Sequence, residues 1–182
     1  MKTLIWQGIT YQSLEYFTLR EHENYTVESK IIGCYQNQIY SVDYKLIIDK
    51  EWNILEFQIE SEINTVKSKM AGRKLYDEWE INNVINEDFK NFKFIDISLT
   101  PFTNTLPVNN LQLPENTSRK IDVIYIDILN QHIKPVQQQY TRKNINEYLY
   151  ENLQNDFKAN VLVDQKGLVT YYPELFKKIA EL

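Results

Sequence analysis

Cysteine is almost missing from this chain: Cys34 stands alone among 182 residues. A lone thiol excludes an internal disulfide and a zinc site built on cysteines. Histidine is nearly as scarce. His22 and His132 lie far apart, outside the spacing of any metal motif, so no metal is expected. The four glycines form no phosphate-cradling loop, no serine sits in a nucleophile elbow, and no cofactor is expected. Long apolar runs are missing too. Nothing approaches the roughly 20 residues of a membrane-spanning helix. Met1–Gly8 lacks the apolar core of a secretory signal, so the expected location is cytoplasmic. Positive charge is in deficit, with 20 Lys and Arg against 25 Asp and Glu, a net charge of −5. The closest approach to a basic patch, Lys67, Lys69, Arg73 and Lys74, is interspersed with acids. A nucleic-acid partner, which needs a basic footprint, is therefore not expected.

Aromatic residues and alternation are what the chain has in quantity. Thirteen Tyr, eight Phe and three Trp are spread along it, and 43% of residues are hydrophobic, enough for a sizeable core. Tyr40, Val42, Tyr44, Leu46 and Ile48 share one face of an extended segment, with Ser41, Asp43 and Lys45 on the other. This is the period-2 pattern of a half-buried strand. Asp49-Lys50-Glu51 reads as a turn, and Leu55, Phe57 and Ile59 alternate with Glu56, Gln58 and Glu60 as the partner strand. Further strands are expected over 65–70, 74–81, 92–99, 109–113, 120–129, 134–140, 144–153, 157–164 and 168–172. Cys34 falls in a strand as a small buried hydrophobe. Pro173–Leu182 reads as a helix. Proline and Glu174 occupy its first turn, Lys177 and Lys178 come later, and Leu175, Phe176, Ile179 and Leu182 form one stripe. No linker divides the chain. The expected fold is mainly β: one domain over residues 1–182, a single strongly curved antiparallel sheet system, barrel-like or sandwich, with a short C-terminal helix.

One segment stands apart. Thr100-Pro101-Phe102-Thr103-Asn104-Thr105-Leu106-Pro107 sets three threonines, one asparagine and two prolines between the apolar runs Ile95, Ile97, Leu99 and Val108, Leu111, Leu113. Proline fixes φ and removes a donor, which excludes a helix interior or a central strand. A stiff turn that lays hydroxyls and an amide along a surface is the expectation.

This segment resembles the signature of the putative glycolipid-binding protein family, once a domain of unknown function. Other elements agree in order: Trp6 and Gly8 with Leu14-Glu15; Tyr44, Asp49 and Trp52; Asp96; Gln139-Tyr140-Thr141; Val163-Asp164; Gly167-Leu168-Val169; Tyr172-Pro173 and Leu175-Phe176. The resemblance implies a curved antiparallel sheet, half barrel and half sandwich, similar to bacterial lipoprotein carriers. It also implies a glycolipid or other amphiphile as partner. Asn53-Ile54-Leu55 and Val108-Asn109-Asn110 stand where the family usually has basic residues, and Asp77-Glu78-Trp79 lacks its glycine-rich turn. A contact to an anionic head group would be lost here, which points to a neutral or different ligand.

Mixed hydrogen-bonding groups suit sugar hydroxyls, and aromatic faces suit sugar rings. The expected ligand-binding residues are Asp96, Thr100, Thr103, Asn104, Thr105, Tyr140, Asp164 and Tyr172, and none is assigned a catalytic role. Asp96 is singled out because a carboxyl in an apolar strand needs a partner and has a raised pKa when buried. Non-enzymatic binding of an amphiphile in a cleft is the first expectation. A hydrolase of a sugar or lipid ester using Asp96 and a second carboxylate, such as Glu15, Asp49 or Asp164, is the alternative. A protein-interaction module with an exposed apolar patch is the third.

Overall fold

The computed structural model describes residues 1–182. The first eight strands are β1 (Lys2–Gly8), β2 (Ser13–Glu21), β3 (Tyr25–Tyr35), β4 (Gln38–Ile48), β5 (Ile54–Ile63), β6 (Val66–Leu75), β7 (Glu78–Ile81) and β8 (Val84–Asn86). Then come β9 (Phe94–Ile97), a 3-10 turn over Phe102–Asn104 and the one α-helix, α1 (Thr105–Leu111). The chain ends with β10 (Ser118–Asp127), β11 (His132–Asn144), β12 (Glu147–Asn152), β13 (Lys158–Val163), β14 (Val169–Tyr172) and β15 (Phe176–Glu181). All fifteen strands form one sheet in the order β8-β7-β6-β5-β4-β3-β2-β1-β15-β14-β13-β12-β11-β10-β9. The two ends, β8 and β9, are not paired, so the sheet is open. No helix is long and apolar enough to cross a membrane.

The sheet is mixed rather than purely antiparallel. Antiparallel hairpins carry the chain from β1 out to β8, and again from β10 back to β15, which pairs with β1. Between these runs, β9 lies parallel to β10, with Asp96 opposite Tyr125. A parallel pair cannot be joined by a tight turn and needs a crossover. Residues 98–117, including α1, are that crossover. This explains why the Thr-Pro-Asn segment is not strand, and why the strand expected over 109–113 is absent. Pro107 sits in the first turn of α1, where its missing N–H costs nothing. Leu106, Pro107 and Val108 are buried, and Gln112 ends the helix in the left-handed conformation at φ 44°. The segment is thus an internal helical corner rather than a surface turn.

The C-terminal helix is likewise replaced by strand. Residues 176–181 fill the gap between β1 and β14, pairing with both. Leu182 and Thr3 exchange both backbone bonds, at 2.8 and 3.1 Å. A helix there would leave the facing edges of β1 and β14 without ladder partners, a larger loss than the gain from a weak amphipathic stripe. Ile179 and Leu182, two members of that stripe, are exposed. Two smaller expectations also change. Residues 74–81 are not one strand but a hairpin, turning at Tyr76 (φ 58°). Cys34 lies on the outward face of β3 and is exposed.

Hydrogen bonds join strands that are distant in the sheet order, so the sheet bends on itself. The amide of Ile54 at the start of β5 donates to the carbonyl of Lys93 beside β9 (3.2 Å), and Gln38 of β4 donates to that of Leu129 after β10 (3.3 Å). One cluster of 40 buried hydrophobic residues fills the concave side. The helical corner plugs it: Phe102 is fully buried, 4.7 Å between ring centroids from Phe17 of β2.

Candidate functional site

Where the corner, β9–β12 and the returning strands β14 and β15 meet, a cup of about 340 Å³ opens to solvent. Pleating decides what faces it. On β10, Tyr125 and Asp127 share a face; on β11, Lys134, Val136 and Gln138 do. Register sets Tyr125 between Asp96 and Lys134, and Gln138 opposite Asn152. The aromatic wall is continuous. Tyr11, from the turn after β1, lies 5.8 Å from Phe176; Phe176 lies 6.2 Å from Tyr172; Tyr172 lies 6.1 Å from Tyr150 and 6.3 Å from Phe157. Tyr125 adds a further ring.

Asp96 brings the negative charge. Its Oδ1 accepts from Thr103 Oγ1 at 3.1 Å and its Oδ2 from Gln138 Nε2 at 2.6 Å. Burial pushes its carboxyl pKa up, and the two hydrogen bonds draw it partly back. Burial, with Asp96 nearby, also pushes the Tyr11 phenol up to about 12. The hydroxyls of Tyr11, Tyr125 and Tyr172 make no hydrogen bond within the protein.

Asn104 is held rigidly. Its Nδ2 donates to the carbonyl of Pro101 (3.2 Å), and its Oδ1 accepts from the Tyr140 hydroxyl (2.8 Å). Thr100 Oγ1 accepts from the amide of Phe102 at 3.1 Å and donates to Glu15 Oε1 at 2.9 Å. Glu15, 2% exposed, is the most deeply buried acid in the molecule. Its Oε1 takes three donors, from Tyr44, Ser29 and Thr100, while Oε2 is buried without a partner. Burial pushes its pKa up to about 7 against the pull of those bonds.

The eight residues named from sequence therefore fall into four groups. Asp96, Thr100, Asn104 and Tyr172 line the cup. Thr103 and Tyr140 hold Asp96 and Asn104 from behind. Thr105 is fully buried, with Oγ1 unpartnered. Asp164 lies apart, beside a groove with Trp52 and Arg142. Its Oδ1 accepts from the amides of Lys166 and Leu168, and its Oδ2 pairs with Lys2 at 3.0 Å. Sequence reasoning missed Tyr11, Tyr125, Asp127, Lys134, Gln138, Tyr150, Phe157 and Phe176. The available signal was the polar and aromatic break in an otherwise apolar strand at Tyr125 and Asp127.

Fold and site together define a β-rich scaffold, bent into an open half-barrel, that carries a polar cup walled with aromatic rings. The chain belongs to the family described as "Putative glycolipid-binding", whose sequence model matches residues 3–178. It is similar to a DUF1089-family protein from Pseudomonas aeruginosa, with a TM-score of 0.83 and 31% identity over 91% of this chain and 92% of that one. It shares its fold with a β-barrel-like protein of the DUF1849 domain family from Brucella abortus, with a TM-score of 0.57 and 5% identity over 99% and 95% of the two chains. No curated protein matches.

Proposed function

We propose that the protein binds the head group of a glycolipid or a similar amphiphile in the aromatic cup, without catalysis. The observation that carries this is the continuous ring wall beside Asp96, with tyrosine hydroxyls left without protein partners. Rings stack on the C–H faces of a sugar, while carboxylate, amide and hydroxyl groups satisfy its hydroxyls. The volume of about 340 Å³ lies at the small end for ligand pockets, which suits a head group rather than a whole lipid. Val136, Leu175 and Phe157 offer apolar surface where an acyl chain would leave. The family description supports the same ligand class. Hydrolysis would need a second available carboxylate. Both acids on the cup already accept through each oxygen, Asp96 from Thr103 and Gln138 and Asp127 from Asn130, which suits holding a ligand rather than proton transfer. A concave, ring-lined site also favours a small ligand over a docking protein.

The test is native mass spectrometry and thermal melting of the protein mixed with a lipid extract and with alkyl glycosides. Retained amphiphile and a raised Tm are expected, with Tyr150→Ala weakening binding about tenfold or more. If no amphiphile is retained and none shifts Tm, the proposal is wrong.

A further inference from the structure

The charge of the cup is one-sided, and the inference drawn from this rests on the cup being the binding site. Asp96 and Asp127 line it against a single ammonium, that of Lys134. Lys134 is exposed and lies over the Tyr125 ring, 5.8 Å from its centroid. Both acids have only neutral partners: Asp127 accepts from Asn130, and Asp96 accepts from Thr103 and Gln138. A carboxylate has about four acceptor positions, so roughly half of those on each remain unused, and Asp96 is the one set beside the ring wall. The rings of Tyr11, Tyr125, Tyr150 and Tyr172 line the same cup, and an aromatic face carries partial negative charge.

Three kinds of head group meet this cup differently. An anion would face two carboxylates, with the single ammonium of Lys134 to offset them. A neutral sugar would satisfy the tyrosine hydroxyls but leave Asp96 uncompensated. An ammonium brings the missing charge, supplies N–H donors for the vacant acceptor positions and gains from the ring faces. We propose that the head group carries an ammonium beside at least one hydroxyl, as in an amino sugar or an amino alcohol, with the ammonium donating to Asp96. The unpartnered hydroxyls of Tyr11, Tyr125 and Tyr172 pair with the neighbouring hydroxyls of the ligand.

The test is titration calorimetry at pH 7 with methyl glucosaminide, methyl glucoside, methyl N-acetylglucosaminide and ethanolamine. The glucosaminide is expected to bind about tenfold tighter than the glucoside. The N-acetyl compound, which lacks the charge, should lose that advantage. Asp96→Asn should bring the glucosaminide down to the level of the glucoside. Ethanolamine binding as tightly as the glucosaminide would assign recognition to an amino alcohol; much weaker binding would assign it to an amino sugar. A glucoside that binds as well as the glucosaminide overturns the inference and leaves the cup as a sugar site. An advantage that survives Asp96→Asn overturns it as well. The acetylation comparison uses the unaltered protein, so it decides the matter even if the variant folds poorly. Silence from every compound, together with no Tm shift from any amphiphile, takes the binding site itself with it.

Discussion

Glu15 shows how one residue can set a pH dependence for the whole protein. Its carboxyl is pushed from 4.5 to about 7 by burial, so the fold prefers the neutral form. Between pH 4.5 and 7 the unfolded chain releases this proton while the folded chain keeps it. Stability from this group is therefore fully present below the unfolded pKa, falls through that window, and stays low above pH 7. The loss is on the order of 3 kcal/mol, from a shift of about two and a half units at 1.36 kcal/mol each. Glu15→Gln keeps the acceptor and removes the proton. Its urea midpoint should change less between pH 5 and pH 8 than that of the unaltered protein; an identical slope would assign the effect elsewhere. Asp96 is raised in the same direction and should contribute to the slope that remains. Close packing makes a second position equally exposed to test. A Cβ at Gly72 would lie 2.2 Å from the Phe57 ring, and Phe57 is buried. Gly72→Ala should cost about 1–3 kcal/mol, read from the denaturant midpoint.

Elements divide into those whose form is local and those whose form is imposed. The hairpin β4–β5 is local: apolar residues alternate on both strands, and Asp49 closes the turn by accepting from the amides of Glu51 and Asn53. The strand β15 is imposed, because its own residues also suit a helix. If it completes the sheet, removing residues 176–182 leaves β1 and β14 with open edges, and the truncated chain should lose cooperative unfolding and amide dispersion in NMR spectra. A peripheral helix could be removed with little effect. The helical corner makes a parallel case. Phe102 is fully buried against Phe17, and Phe102→Ala should cost about 3–5 kcal/mol in a chemical melt.

At the scale of the molecule, the cup lies where the two ends of the chain come together. Tyr11 follows β1, Asp96 and Tyr125 come from the parallel pair at one end of the sheet, and Tyr172 and Phe176 come from the strands that return to β1. A ligand there contacts strands distant in the sheet order. It should slow amide exchange in β9–β10 and β14–β15 together, and at a hundred times Kd it should add about 2.7 kcal/mol to stability. Protection confined to one of these pairs would mean the ligand sits elsewhere.

What can be read from residue order is whatever depends on near neighbours. The mainly β character follows from period-2 alternation, as in Tyr40–Ile48. The importance of Thr100–Pro107 follows from its prolines, and that of Asp96 from a carboxyl between Ile95 and Ile97. The rest depends on partners remote in the chain. Whether 176–181 is helix or strand is settled by the vacant edges of β1 and β14. The parallel alignment of β9 with β10 turns the proline segment into a buried crossover. Tyr11, Tyr125, Tyr150 and Phe176 become one wall only when the sheet bends. Hydrogen-bonding groups must be satisfied wherever burial places them, and no local pattern carries that demand.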